Sequence, residues 1–240
     1  MRLDRYLADQ GFYKSRERAA RAIESGCVKV NDRVILKTSF QVEEDIKIDC
    51  SPDPVPYVSR GGLKLLGALE RFKLSPDSLC CLDIGASTGG FTHVLLEKGA
   101  SEVTCVDVGH GQLDPILRAD PRVRVYEGTD ARTFRPEASY DFICMDVSFI
   151  SVTQMLETVC ALIKPTSNIV ILIKPQFELS RSALNKNGIV KNKEMGLRRV
   201  QEIISFFCEQ GNLKLGGFME SPIQGGDGNI EYCAWFLPLV

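Results

Sequence analysis

Four charged residues stand where apolar runs end: Asp146 in "CMDVSFIS", Lys174 in "ILIKPQFE", Glu231 in "GNIEYCAW" and Lys64 in "SRGGLKLLGAL". Charge in such places is costly to bury without a partner. Lys174 directly follows "IVILI", so its ammonium is expected at a strand end that opens on a cleft. Two lysines and two carboxylates form a neutral set suited to deprotonating or orienting a hydroxyl. If an activated electrophile is held in line with that oxygen, alignment does most of the remaining chemistry. A lysine must be neutral to act as a base, and an unperturbed lysine titrates at ~10.4. Either lysine could be the base on sequence alone; Lys174 is the first choice, with Lys64 holding a ribose or phosphate. The plainer alternative is a pair of salt bridges that close the end of a sheet.

A cleft of that kind needs a binding loop, and residues 83–91, "DIGASTGGF", supply one between the apolar "LCCL" and the helical pattern "THVLLEKGA". A phosphate-binding loop would close on Gly-Lys-Ser/Thr, and no lysine is present. A dinucleotide fold wants Gly-x-Gly-x-x-Gly, whereas Ser87 stands where its middle glycine lets backbone approach a pyrophosphate. S-adenosyl-L-methionine has no pyrophosphate, so the row Gly85, Ala86, Ser87, Gly89, Gly90, Phe91 fits it better. Asp83 would then pair with the amino-acid end of that cofactor. Asp107, followed by Val108 in "VTCVDVG", closes the next apolar run and is placed for ribose hydroxyls. Asp130 in "VYEGTDAR" is either an acceptor for the adenine amine or simply the residue that starts a loop.

The rest of the chain must position these groups. From about residue 60, strand-like runs at 80–84, 102–107, 122–126, 140–146, 168–173, 213–219 and 230–237 alternate with helical stretches at 91–98, 149–163 and 193–209. Such alternation predicts a parallel, doubly wound α/β sheet. Only "SPIQGGDGN" separates the last two runs, so these should pair antiparallel, giving a seven-stranded mixed sheet. In such sheets ligands bind beyond the carboxyl ends of the strands, where Asp146 and Lys174 fall.

The first fifty residues read differently. "RLDRYLADQGF" has helical spacing that ends near Gly11, Ser15 is an N-cap for "RERAARAIESG", and "CVKV-ND-RVIL" reads as a small hairpin. Residues 1–37 hold nine Lys/Arg against five Asp/Glu, while 38–60 hold two against five. Arg2 and Arg5 are expected on one face of the first helix, Arg18 and Arg21 on one face of the second. From charge alone, these faces either meet phosphates or are solvated with internal ion pairs. "SPDPVPYV" at 51–58 reads as a stiff linker. The expected division is therefore 1–50, a linker at 51–59, and 60–240.

Composition excludes several classes. The net charge of −2 gives no whole-molecule pull toward nucleic acid. Nine cysteines without a Cys-x-x-Cys pair, and only two histidines, speak against a metal site. The odd cysteine count, and the absence of a signal-like start, fit a reducing cytoplasm. No apolar stretch approaches the roughly 20 residues that span a bilayer, which argues against membrane insertion.

The segment "RLDRYL…KSRERAARAIESGCVKVNDRVILKTSFQV" resembles the S4 domain, a small α+β RNA-binding module. The motifs "SRGGLKL", "DIGASTGGFT", "VDVGHGQL", "DVSFIS", "LIKPQFE" and "GNIEY" resemble the TlyA, or hemolysin A, group, which joins an S4 domain to an FtsJ-like methyltransferase. The resemblance covers nearly the whole chain. It implies a class I, Rossmann-like methyltransferase fold and S-adenosylmethionine-dependent 2′-O-methylation of cytidine in ribosomal RNA, acting on the ribosome or its subunits. It also implies a catalytic tetrad of Lys64, Asp146, Lys174 and Glu231, and RNA contacts by Arg2, Arg5, Arg16, Arg18, Arg21, Lys37 and Arg60. The compact form resembles the subgroup acting on large-subunit RNA, with small-subunit RNA as a second candidate. The polar "RSALNKNGIVKNKEMG" is either a basic lip over the RNA site or a plain surface loop. Two other readings are a non-catalytic RNA-binding assembly factor and, disfavoured by the lack of a suitable helix, a membrane-active hemolysin.

Overall fold

A computed structural model describes residues 1–43, 46–51, 57–136 and 138–239, with Glu17 described by its backbone alone. The chain divides into two compact units, Met1–Pro56 and Tyr57–Val240. Most of the expected linker, residues 52–56, lies outside the described residues.

In the first unit, α1 (Leu3–Asp9) and α2 (Arg16–Glu24) pack against a three-stranded sheet of β1 (Val28–Val30), β2 (Arg33–Val34) and β3 (Ile48–Cys50), in the order β2-β1-β3. Ser15 caps α2 by accepting from the Arg18 amide at 3.3 Å. Asn31 and Asp32 both have positive φ, 48° and 63°, as a type I′ hairpin turn requires. Leu3, Leu7, Tyr13, Ala19, Ala22, Ile23, Val28 and Val30 form its core. Strand β3 is a short, half-exposed tripeptide that carries no periodic signal, which is why sequence alone gives only the hairpin. Arg2 also departs from expectation. It is the extended N-cap of α1, bridged to Gln41, and so lies off the helical face that carries Arg5.

The second unit begins with α3 (Gly62–Phe72), then alternates: β4 (Cys80–Ile84), α4 (Gly90–Glu97), β5 (Glu102–Val106), α5 (Pro115–Arg118), β6 (Val123–Tyr126) and β7 (Tyr140–Met145). It continues through α6 (Leu156–Leu162), β8 (Ile163–Ile173), α7 (Pro175–Glu178), α8 (Lys193–Gly211), β9 (Leu213–Glu220) and β10 (Tyr232–Pro238). The seven strands run in the order β6-β5-β4-β7-β8-β10-β9. Strands β4 to β8 pair in parallel with one another, and β10 is antiparallel to both β8 and β9. Six strands therefore share one direction and β10 opposes them, as expected. Strands β4 and β7, and β8 over residues 169–173, are buried at nearly every position, which explains their apolar sequences.

Two differences bear on the site. The helix expected at 149–163 starts only at Leu156, after a 3-10 turn over Val152–Met155, which leaves residues 146–151 as a free loop. Helix α3 has no counterpart among the expected elements, yet it carries Lys64 in its first turn, and Leu65, Ala68 and Leu69 are buried on it.

Candidate active site

The order reverses between β5-β4 and β7-β8, so a crevice opens where β4 and β7 separate at their carboxyl ends. The loop after β4 lies there. Gly85 has φ +80°, and a Cβ on it would stand 2.5 Å from the carbonyl oxygen of Asp146, so the close approach of these two strand ends needs a glycine. Gly89, at φ +92°, is the N-cap of α4. Ser87 adopts φ 49°, and its amide donates to Asp107 at 2.8 Å. The other oxygen of Asp107 accepts from Gly109 at 2.7 Å. One carboxylate thereby ties the loop after β4 to the loop after β5.

The cleft between these loops measures about 520 Å³. Gly85, Ser87, Asp107, Val108, Asp130 and Asp146 line it, together with Gln112, Thr129, Arg132, Ser148, Phe149 and Met155. A smaller cavity of about 170 Å³ shares Gly85, Ser87, Asp146 and Ser148 with it, and adds Ser59, Gly61, Ala86, Gly90, Phe91 and Lys174. Every expected cofactor residue except Asp83 and Gly89 thus faces one of two adjoining spaces.

Asp83 is fully buried behind the loop. Its Oδ2 accepts from the Thr92 amide at 2.9 Å and the Thr92 hydroxyl at 2.6 Å, which anchors the start of α4. Its Oδ1 has no hydrogen-bond partner among the described residues. Burial raises this carboxyl to about 7, against the pull of the Thr92 hydrogen bonds and with the Asp146 charge adding to the rise. In this structure Asp83 therefore holds the loop from beneath and does not present its carboxylate in the cleft.

Asp130 lines the cleft while capping the 3-10 turn Ala131–Thr133. It accepts from Arg132 through the backbone amide at 2.9 Å and through the guanidinium at 2.6 Å, which holds its carboxyl below the ordinary range. The loop-starting reading of Asp130 is thus realised, beside its place in the wall. Glu127 pins the segment 111–113 by accepting from the amides of Gly111, Gln112 and Leu113 at 2.8–3.0 Å. Those bonds, led by the one from Leu113 and joined by Arg118, hold its carboxyl down at about 2.

The four charged residues come together as two pairs. Lys174 Nζ lies 2.5 Å from Asp146 Oδ1 and donates to Ser148 Oγ at 2.7 Å. Lys64 Nζ donates to Glu231 Oε2 at 2.5 Å, across 167 residues of sequence. Gln176 Nε2 donates to the other Glu231 oxygen at 3.3 Å. Lys64, Lys174 and Glu231 are buried, and Asp146 is half-buried. The pairing of Tyr232 with Ile173 sets Glu231 and Lys174 at adjoining strand ends. Cys233 lies within electrostatic reach of Asp146, Lys64 and Glu231, and burial first of all pushes its thiol up to about 12. The two pairs are therefore neighbours, and the Lys174–Asp146 pair forms part of the cavity wall.

Sequence reading missed Ser148, Phe149 and Gln176. Phe149 is 91% exposed at the cleft, has φ +65°, and meets Phe177 at 5.0 Å between ring centroids. A large aromatic left in water with a strained backbone is costly, so the surroundings must enforce it. Glu178 supplies that restraint by accepting from Ser151 Oγ at 2.6 Å and the Val152 amide at 2.8 Å.

On the first unit, Asp4 is buried between Arg2 and Arg16, at 3.0 and 2.9 Å. The Arg2 guanidinium first, and Arg16 after it, hold its carboxyl at about 2 against the cost of burial. Arg5 pairs with Asp9 at 3.4 Å. Arg18 and Arg21 are half-buried on α2, and Lys37 is exposed. In the second unit Arg60 is exposed just before α3.

Residues 57–237 match the FtsJ-like methyltransferase family, and residues 1–45 match the S4 domain. The chain is 39% identical over 238 residues to the 16S/23S rRNA (cytidine-2′-O)-methyltransferase TlyA of Mycobacterium tuberculosis, covering 98% of this chain and 88% of that protein. It is 34% identical over 256 residues to the 23S rRNA (cytidine-2′-O)-methyltransferase TlyA of Campylobacter jejuni, covering 99% of each. Among solved structures, one named as a hemolysin from Streptococcus thermophilus superposes with a TM-score of 0.77 at 37% identity, covering 99% of this chain and 88% of that one. A strand-ordered crevice, a glycine loop packed closely against the Asp146 backbone, and two ion pairs at the strand ends agree with that likeness: this chain belongs to the FtsJ-like methyltransferases that carry an S4 domain.

Proposed function

We propose that this protein transfers the methyl group of S-adenosyl-L-methionine to the ribose 2′-hydroxyl of a cytidine in ribosomal RNA, in the cytoplasm where ribosomes are assembled. The observation that carries the reading is the pair of buried ion pairs, Lys174–Asp146 and Lys64–Glu231, beside a glycine-walled cleft. The cofactor fits that cleft. Its volume suits a small molecule, no lysine lies in the loop 83–91 to meet phosphates, Gly85 and Ser87 offer bare backbone, and Asp107, in the cleft wall, is the acceptor we assign to ribose hydroxyls. Asp83, with an unpartnered oxygen behind the loop, is a carboxyl that a nearby cationic ligand would draw toward its ionised form. When bound, the cofactor supplies an activated methyl on a sulfonium.

The protein's own residues then have to aim an oxygen and manage its proton. Lys174 Nζ is the group we assign to take the proton of the 2′-hydroxyl. To do so it must first release one of its own, and Asp146, 2.5 Å away, is placed to hold it. Ser148 fixes the direction of the amine. Lys64, held by Glu231 and through it by Gln176, keeps a second cation beside the sugar and its phosphate. Phe149 offers a flat face at the mouth, where a base drawn out of its stack can lie. In the first unit, Arg5, Arg18, Arg21 and Lys37, with Arg60 of the second, are proposed to meet phosphates. Arg2 and Arg16 do so only with the surface left after holding Asp4. Both TlyA relatives have 23S in their names, which makes large-subunit RNA the first target and small-subunit RNA the second.

The test is transfer of labelled methyl to ribosomal RNA and to subunits from cells lacking the protein, followed by mapping of 2′-O-methyl positions. Asp146→Ala should lower kcat by about 10²-fold or more, the usual worth of positioned proton transfer. An unchanged rate in that variant would sink the assignment of the pairs.

A further inference from the structure

The segment 181–199 holds six Lys/Arg against the single acid Glu194, in a chain whose net charge is −2. Its first half folds into a small hairpin closed by the bridge Leu184–Val190. The tip builds itself. Asn185 Oδ1 accepts from the amides of Asn187 at 2.8 Å and Ile189 at 3.0 Å, and Gly188 turns at φ +77°. Lys186 is exposed at that tip and makes no ion pair among the described residues, whereas Lys191 is tied to the Ser182 carbonyl and Lys193 to Glu220.

The side chain of Asn229 joins the hairpin to the run 221–230 that precedes Glu231. Asn229, 1% exposed in the tight run that precedes Glu231, donates from Nδ2 to the Gly188 carbonyl and accepts at Oδ1 from the Val190 amide, each at 3.0 Å. A carbonyl and an N–H as the two partners fix the orientation of the amide. The Asn229 carbonyl in turn accepts from Gly225 at 2.9 Å. A Cβ at Gly225 would stand 2.5 Å from Glu231 Oε1, so this turn passes close to the carboxylate that holds Lys64 and only a glycine fits there. A cavity of about 140 Å³, lined by Ile189, Val190, Pro175, Gln224, Asn229 and Ile230, separates hairpin from loop. The Asn229 amide is buried at the edge of that gap and bridges it through its two hydrogen bonds.

We infer that the hairpin 184–190 is an RNA-holding arm, with Lys186 on a phosphate, and that Asn229 is a positioning residue that passes the arm's position to Glu231. The inference rests on the RNA-methyltransferase reading above and extends it to a second contact surface on the catalytic unit.

The test uses the full chain with ribosomal RNA, in binding and in methyl transfer. Lys186→Ala, an exposed change that leaves folding alone, should weaken RNA binding about threefold and lower the salt slope of log Kd by about 0.7–0.9, as loss of one phosphate contact does. Asn229→Leu should lower kcat about tenfold through misplacement of Glu231, with cofactor affinity intact. In the double variant the Lys186 effect on Kd should vanish, because an unlatched arm no longer delivers its charge. Unchanged salt slope in Lys186→Ala, additive effects in the double variant, or wild-type kcat in Asn229→Leu would each overturn the inference. If the unchanged protein transfers no methyl, the RNA-methyltransferase reading fails, and the binding arm of the experiment still decides the role of the hairpin.

Discussion

Asp83→Asn isolates the most perturbed carboxyl in the catalytic unit. Folded, Asp83 binds its proton up to about pH 7, because burial strips it of water and Thr92 satisfies only one of its oxygens. Unfolded, it titrates near ~3.9. The native state therefore holds more protons than the unfolded state between those values, and stability falls as pH rises through that window. Its contribution is complete below pH ~4 and lost by about pH 7, a span of about 3 units at ~1.4 kcal/mol each, or about 4 kcal/mol as an order of magnitude. Asparagine offers the same acceptor to the Thr92 amide and hydroxyl and never ionises. At pH 4 the two proteins should differ by no more than about 1 kcal/mol, the worth of one neutral hydrogen bond. At pH 7.5 Asp83→Asn should be the more stable protein.

Urea unfolding at pH 4, 5.5, 6.5 and 7.5, followed by the fluorescence of Trp235, reads this difference directly, since the single tryptophan lies on β10 of the same unit. Carboxyls with the opposite shift, such as Glu127, act equally in both proteins and cancel. Cofactor affinity supplies the second limb. A bound cation favours the ionised carboxylate, so affinity in the unchanged protein should rise between pH 5.5 and 7.5, and in Asp83→Asn it should be weaker and flat. A stability difference independent of pH, or one that grows in favour of the unchanged protein as pH rises, would refute the reasoning.

Two further perturbations probe the scaffold. Gly85→Ala places a Cβ against the Asp146 carbonyl at positive φ, so it should cost about 1–3 kcal/mol in urea unfolding and weaken cofactor binding in isothermal titration. Asp4→Ala leaves Arg2 and Arg16 without their shared acceptor and should cost the first unit about 1–3 kcal/mol, read by hydrogen exchange over residues 3–30. In the unchanged protein the Asp4 contribution is present above pH ~3.9 and is lost as pH falls toward about 2.

Local signals carried most of the fold. Strand β4 and its glycine loop were legible because an unbroken apolar run, a carboxylate and three glycines occur within twelve residues. The antiparallel end was legible because no helix fits between β9 and β10. Helix α3 was obscured by the Gly61-Gly62 start, which local propensity disfavours and burial of Leu65, Ala68 and Leu69 overrides. The charged residues themselves were visible as charge at apolar ends, but their pairing was not. Lys64 could have faced Asp146 as easily as Glu231 until the sheet order set 64 and 231 together. Phe149 escaped because exposure of an aromatic is a property of the surrounding loop, and no pattern in "DVSFIS" encodes it.

The short run "KPQFE" explains how two ion pairs from four distant segments stay in one arrangement. Pro175 opens a single helical turn, with Lys174 as its N-cap. Residues three and four apart on such a turn face the same way, so Lys174, Phe177 and Glu178 all reach the 146–152 loop, at Asp146 and Ser148, at Phe149, and at Ser151 and Val152. Gln176, two residues on from Lys174, must point away from that loop, and there it meets Glu231. One turn thereby sets the Lys174–Asp146 pair with one face and braces the Lys64–Glu231 pair with the other. The helical period, more than any single charge, fixes how the Lys174–Asp146 and Lys64–Glu231 pairs are set beside one another.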